Sequence, residues 1–187
     1  MTPTQAPVSR DTLKSITSPA EPAPGFRRIL TYRLLLSLAA FVVGLDQATK
    51  AWIHARLPFG TYGEPGAIPV VRGFFYLVHV GNTGAAWSLF AGKSAVLAVL
   101  AAVTLAAIAF WRRHLGLRQT GVQVCFGLLC GGILGNLIDR LVYGHVIDFL
   151  DFHFGSYVYP TFNLADSAIC VGVGLYLLHS LRNPQQG

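Results

Sequence analysis

The chain has 187 residues, of which 53% are apolar and only 12% charged, against roughly 25% charged residues in an ordinary soluble domain. That deficit excludes most soluble classes, and the length suits one compact domain built on apolar runs near the ~20 residues that cross a bilayer. The net charge of +6 does not point to nucleic acid, because the Lys and Arg residues flank apolar runs instead of gathering on one stripe.

Residues 1–26 hold five of the ten prolines, with Ser, Thr, Gln and Ala between them. Such a segment cannot bury enough apolar surface to order itself and is expected to be a disordered cytoplasmic tail. It has neither the apolar core nor the small-residue cleavage site of a secretory signal. Residues 27–183 are expected to form one membrane domain. Length and freedom from central charge predict four spans, over about 29–51, 94–111, 120–142 and 163–181.

Nine of the Lys and Arg residues fall in the tail, in the loop after the second span and at the C-terminus, and five fall on the other side. The asymmetry predicts that both termini are cytoplasmic and that a β-rich loop over about 52–93 is outside. Within that loop, 68–80 reads Ile-Pro-Val-Val-Arg-Gly-Phe-Phe-Tyr-Leu-Val-His-Val. Its β-branched and aromatic residues, broken by Gly and Pro, predict short strands in a small sheet at headgroup level.

Cys125, Cys130 and Cys170 lie inside apolar runs, where packing accounts for them and a disulfide framework or zinc site does not. The six histidines are scattered over both sides without metal-ligand spacing, and no Ser or Cys triad is legible.

Of the eight acidic residues, Asp11 and Glu21 are in the tail and Glu64 is in the outer loop. The other five, Asp46, Asp139, Asp148, Asp151 and Asp166, map to the outer boundary of the spans, where carboxylates are costly and mark a cavity or a partner. Asp46 and Lys50, spaced i, i+4, fit an ion pair and also fit a place beside a substrate. Gly127, Gly131 and Gly135 form a small-xxx-small seam on the third span. The seam does not explain Asn136, Asp139 and Arg140 in the next turn, polar groups that require partners at a membrane boundary. Asn136 and Arg140 share a face and can both address a bound peptide or headgroup. Asn163 and Asp166 fit an N-cap with a capping box as well as they fit catalysis. Asp148, among apolar neighbours in Val146-Ile-Asp-Phe-Leu150, has no capping role to explain it. Two close carboxylates that share one proton can hydrolyse a peptide without metal or nucleophilic side chain, the charged one activating water and the neutral one protonating the carbonyl.

The blocks DQATK at 46–50, NTGAAW at 82–87, GGILGNLIDR at 131–140, VIDF at 146–149 and FNLADS at 162–167 resemble, in order and spacing, those of the prolipoprotein signal peptidase (signal peptidase II) family. The resemblance covers about 32–181. It implies an all-α membrane fold of four transmembrane helices, with a small extracytoplasmic β-sheet cradle and a short outer helix over the active site. It puts the catalytic pair on Asp148 and Asp166, and the surrounding polar residues on Asp46, Lys50, Asn82, Gly84, Asn136, Asp139, Arg140 and Asn163. It implies no cofactor and no metal. The implied substrate is a prolipoprotein with a diacylglyceryl-modified cysteine, cut on the N-terminal side of that residue at the periplasmic face of a bacterial inner membrane. Membrane lipid and globomycin-type inhibitors are implied partners, and a monomer is expected. The proline-rich tail is longer than the family leads one to expect and touches none of this chemistry.

Two other classes compete. A proton- or ion-coupled transporter also uses intramembrane acids, but it wants polar groups continuing to the cytoplasmic side, and these acids stop at one boundary. A lipid-binding scaffold needs only the glycine seam and the aromatic loop, and has no use for Asp148 and Asp166 together.

Overall fold

The computed structural model describes residues 31–63, 65–85 and 89–182; the proline-rich segment and Glu64 lie outside the described residues. The compact unit is Tyr32–Gly187, with the elements α1 (Arg33–Arg56), β1 (Ile68–Val71), β2 (Phe75–Asn82), α2 (Ser94–Phe110), α3 (Thr120–Tyr143), β3 (Val146–Phe154), β4 (Tyr157–Val158) and α4 (Leu164–Arg182).

On α1 the buried residues are Leu35, Val42, Asp46, Lys50 and Ile53, whose spacings of three, four and seven make one helical stripe. The other faces expose Leu34, Leu36, Phe41, Leu45 and Trp52, a surface suited to hydrocarbon rather than water. Among the described residues α1, α3 and α4 are long and apolar enough to cross a membrane. The second predicted span is α2, with 17 residues, or about 26 Å at 1.5 Å per residue. It falls short of the ~30 Å hydrocarbon thickness. Lys93 and Arg112 bracket it, so its apolar run can recruit only Trp111.

Helix α3 packs against each of the other three helices. The glycine seam faces α1: a Cβ at Gly131 would stand 2.7 Å from Val42 Cβ, and one at Gly127 would stand 3.1 Å from the Leu35 carbonyl. A second close approach lies toward α4, where a Cβ at Gly132 would strike the Ala165 carbonyl and one at Gly172 would come within 2.7 Å of the Cys125 carbonyl. The backbones of α1 and α4 therefore both lie against α3, as small residues permit. Cys125, Cys130 and Cys170 are all free thiols.

The sheet is antiparallel in the order β1-β2-β3-β4. Its outer-loop half, β1 and β2, falls on the predicted segment. Its other half, β3 and β4, comes from beyond the third span, outside the segment expected to form strands. Helix α3 stops at Gly144 in the left-handed conformation, φ 75°, which glycine adopts without steric cost. The chain enters β3 two residues later. Strand β2 pairs with β3 in the register Val80↔Asp148 and Asn82↔Val146. Asp148 is thereby fixed beside the end of β2. Between Asn82 and Ser94 the described residues form turns, so the expected short outer helix has no counterpart among them.

Candidate active site

Five elements meet at one end of the bundle, and each brings polar side chains. The deeper group is centred on Lys50, whose ammonium donates to Asp46 Oδ2 at 2.8 Å and Asn136 Oδ1 at 3.1 Å and pairs with Asp139 Oδ2 at 2.8 Å. Three acceptors satisfy its three protons. Asp46 Oδ1 accepts from the Ala165 N–H at the start of α4, and Asp139 Oδ2 accepts from the Ile147 N–H at the start of β3. Asp46 and Asp139 are 0% exposed and Lys50 is 2% exposed. This cluster ties α1 to α3, α4 and β3. Of the two readings left open for Asp46 and Lys50, the ion pair is formed.

The second group surrounds Asp148, which is 2% exposed. Its Oδ1 accepts from Asn163 Nδ2 at 2.7 Å and its Oδ2 accepts from Asn82 Nδ2 at 3.0 Å. Asn163 donates also to Asn136 Oδ1 and to the Ile147 carbonyl. Asp166, half-buried on the first turn of α4, accepts from Asn136 Nδ2 at 2.7 Å. It also closes a reciprocal box with Asn163. The Asp166 N–H donates to Asn163 Oδ1 at 2.9 Å, and the Asn163 N–H donates to Asp166 Oδ2 at 3.3 Å. The N-cap geometry is therefore present, and it leaves Asp166 Oδ1 directed to Asn136. Asn136 joins the two groups, since its amide oxygen takes Lys50 and its amide nitrogen serves Asp166.

Burial, and next the charge of Asp166, push the Asp148 carboxyl up to about 7, against the opposing pull of the Asn82 and Asn163 hydrogen bonds and of Lys50. Neutral amides stabilise a carboxylate less than a cation does, so Asp148 can carry a proton near neutral pH. A partly buried acid beside a buried one whose carboxyl is pushed up is an arrangement able to activate water and protonate a carbonyl.

Gly84 belongs to the rim of this site. Its N–H donates to Asn82 Oδ1 and its carbonyl accepts from Arg140 Nη2 at 3.0 Å. A Cβ there would lie 2.7 Å from the Leu89 carbonyl, so the turn admits no side chain. Arg140 also donates to its own helix at the Asn136 carbonyl. It is therefore held toward the Asn82–Gly84 turn, while Asn136 works in the interior.

Asp151 does not join the other acids. Three residues beyond Asp148, it points from the opposite face of β3 and pairs with His153 Nε2 at 2.7 Å. Sequence reasoning missed Gln47, whose amide donates to Asp139 Oδ1 at 2.8 Å, to Asp46 Oδ2 and to the Gly135 carbonyl. An amide near the end of an apolar span demands such partners, and that demand was its only signal. Among the described residues no group of His, Cys, Asp and Glu is arranged to hold a metal ion.

Fold and site together define a helical membrane enzyme with paired carboxylates near one end of its bundle. The family model described as signal peptidase (SPase) II matches residues 38–182, and the chain belongs to that family. It is 39% identical over 167 residues to a lipoprotein signal peptidase of Nitratidesulfovibrio vulgaris (strain DP4), covering 83% of this chain and 93% of that one. To the lipoprotein signal peptidase of Syntrophotalea carbinolica it is 40% identical over 159 residues, covering 83% and 96%. A bacterial membrane enzyme solved by the in meso method at 2.3 Å superposes with a TM-score of 0.71 at 32% identity, over 81% of this chain and 89% of the other. Membership in a peptidase family removes the ground for the transporter and scaffold readings.

Proposed function

We propose that this protein removes signal peptides from diacylglyceryl-modified prolipoproteins, cutting on the N-terminal side of the lipidated cysteine with Asp148 and Asp166 as its catalytic pair. The observation that carries the reading is that one residue, Asn163, touches both carboxylates. Its side chain donates to Asp148 and its backbone N–H donates to Asp166.

In this mechanism Asp148 begins neutral and Asp166 ionised. A water between them gives a proton to Asp166 while its oxygen attacks the scissile carbonyl carbon, and Asp148 passes its proton to the carbonyl oxygen. The tetrahedral intermediate then collapses. Its C–N bond breaks as the nitrogen takes the proton from Asp166, and its hydroxyl returns a proton to Asp148. Lys50 and Asn136 hold the pair in place, and Arg140 holds the Asn82–Gly84 turn that closes over Asp148.

Four spans are proposed, with α2 the shortest and accommodated by the flanking cations that bracket it. The excess of Lys and Arg at one end supports cytoplasmic termini and a site at the periplasmic face of the inner membrane. The substrate's acyl chains would then remain in surrounding lipid, globomycin-type peptides would occupy the same site, and a single chain would suffice for the chemistry.

The test is cleavage by the purified protein of a diacylglyceryl-modified precursor and of the same precursor without lipid. Cleavage confined to the lipidated form is expected. Equal cleavage of both, or activity lost in EDTA and restored by zinc, would overturn the proposal.

A further inference from the structure

At the end of the bundle away from the aspartates, α3 begins and α4 ends. From Gly121 to Asp139 is about 27 Å along α3 at 1.5 Å per residue, so nothing there belongs to the acid site. Between the two helices lies a cleft of about 250 Å³, room for about eight waters at ~30 Å³ each. Its walls are apolar, formed by Val124, Leu175 and Leu178, while His179 and Arg182 line it from the last turns of α4. Gly121 lines it without a side chain, and a Cβ at that position would be in ordinary contact with the His179 ring at 3.6 Å.

Among the described residues the charge at this end has one sign. Segments 111–135 and 167–182 contain no Asp or Glu, while Arg112, Arg113 and Arg118 lead into α3 and Arg33 opens α1. A cleft with apolar walls, a cationic mouth and no acid complements a ligand that is anionic at one end and hydrocarbon at the other. Basic clefts between membrane helices at a bilayer boundary take phospholipid headgroups in this way.

We propose that the α3–α4 cleft is a binding site for an anionic phospholipid, its phosphate between His179 and Arg182 and the upper part of one acyl chain along Val124, Leu175 and Leu178. A free phosphate would answer to the cations but would leave the apolar walls without purpose. The site is independent of the peptidase reading and would exist in an inactive protein.

Native mass spectrometry of the full-length protein, with phosphatidylglycerol or phosphatidylcholine of identical chains added, tests the proposal. Preferential retention of phosphatidylglycerol is expected. Arg182→Gln should reduce that preference by about fivefold, for the loss of a full cation near the surface, and His179→Gln should reduce it less, through loss of a ring N–H donor, with melting temperature and precursor cleavage unchanged. Equal retention of both lipids by the unaltered protein, or a preference that survives both substitutions, would overturn it. Displacement of the lipid by millimolar inorganic phosphate would assign the site to free phosphate and sink the lipid proposal. If the variants fail to fold, the unaltered protein with a diazirine-tailed phosphatidylglycerol decides. Adducts concentrated on 121–125 and 175–182 support the site, and adducts spread evenly over the helices refute it.

Discussion

The Lys50 cluster and the Asp148 cluster lie side by side, share Asn136 and are about equally buried, yet they are compensated differently. Asp46 and Asp139 each face the Lys50 ammonium and a backbone N–H from a neighbouring element. Asp148 is held by two amide side chains and no cation. A buried acid with a cation as partner serves as a fastener, whereas the one among amides is the carboxyl that burial pushes up. Burial alone does not tell structural acids from chemical ones; the partners do.

The largest effect that tests this contrast is on turnover. Asp148→Asn and Asp166→Asn should each lower cleavage per folded molecule by ~10²- to 10⁴-fold, the span of general acid–base catalysis. The double variant should be little worse than the poorer single one, because the pair acts as a unit. Inhibitor binding or melting temperature is the folding control. If Asp166→Asn kept its turnover and melted early, the capping box formed with Asn163 would be the whole role of that residue.

Next comes Lys50→Met, which strands two buried carboxylates and should cost about 3–5 kcal/mol of stability, read as loss of folded protein. Survival of Lys50→Met with a normal melting temperature would erase the distinction between the two clusters. Asp139→Asn keeps most of the hydrogen-bonding shape and should cost ~1–3 kcal/mol, with turnover of the remaining folded enzyme little changed.

The smallest effect is on pH dependence. In the folded protein the Asp148 carboxyl titrates at about 7 instead of 3.8. The folded state thus holds a proton that the unfolded chain releases at lower pH. The stability this contributes is fully present below about 3.8 and is lost as pH rises through about 7. Melting temperature should decline between about pH 4 and about pH 7 and level off above that, and Asp148→Asn should flatten that slope. Cleavage should also weaken above about 7 as the proton donor empties. A slope unchanged in the variant would assign the effect to another group.

The long helices were legible because their apolar runs are long, and the acid layer was legible because acids are few. Strand β3 was not read, although Val146–Phe154 alternates over part of its length, because the single acid amid apolar residues drew attention away from the period of two. Without that strand Asp148 and Asp151 look equivalent, and only the pleat separates them. Gln47 was hidden for a related reason. It sits one position from Asp46, about 100° around the helix, and its reach to Asp139 depends on how closely α1 meets α3 at Gly135. The shortness of α2 was visible in the sequence, in the distance from Lys93 to Arg112, but the apolar composition outweighed it.

The position of Asn163 has a consequence for when the protein becomes active. The residue that touches both carboxylates opens the last helix, and the Ala165 N–H that anchors Asp46 follows two residues later. A ribosome makes the chain from its N-terminus, so α1, the sheet and α3 emerge while Asp166 does not yet exist and Asp148 lacks its nearest donor. A nascent chain threading into the bilayer among its own substrates therefore carries an unassembled centre. With the proposed catalytic pair, competence to cut arrives only when the final helix has been inserted against α3.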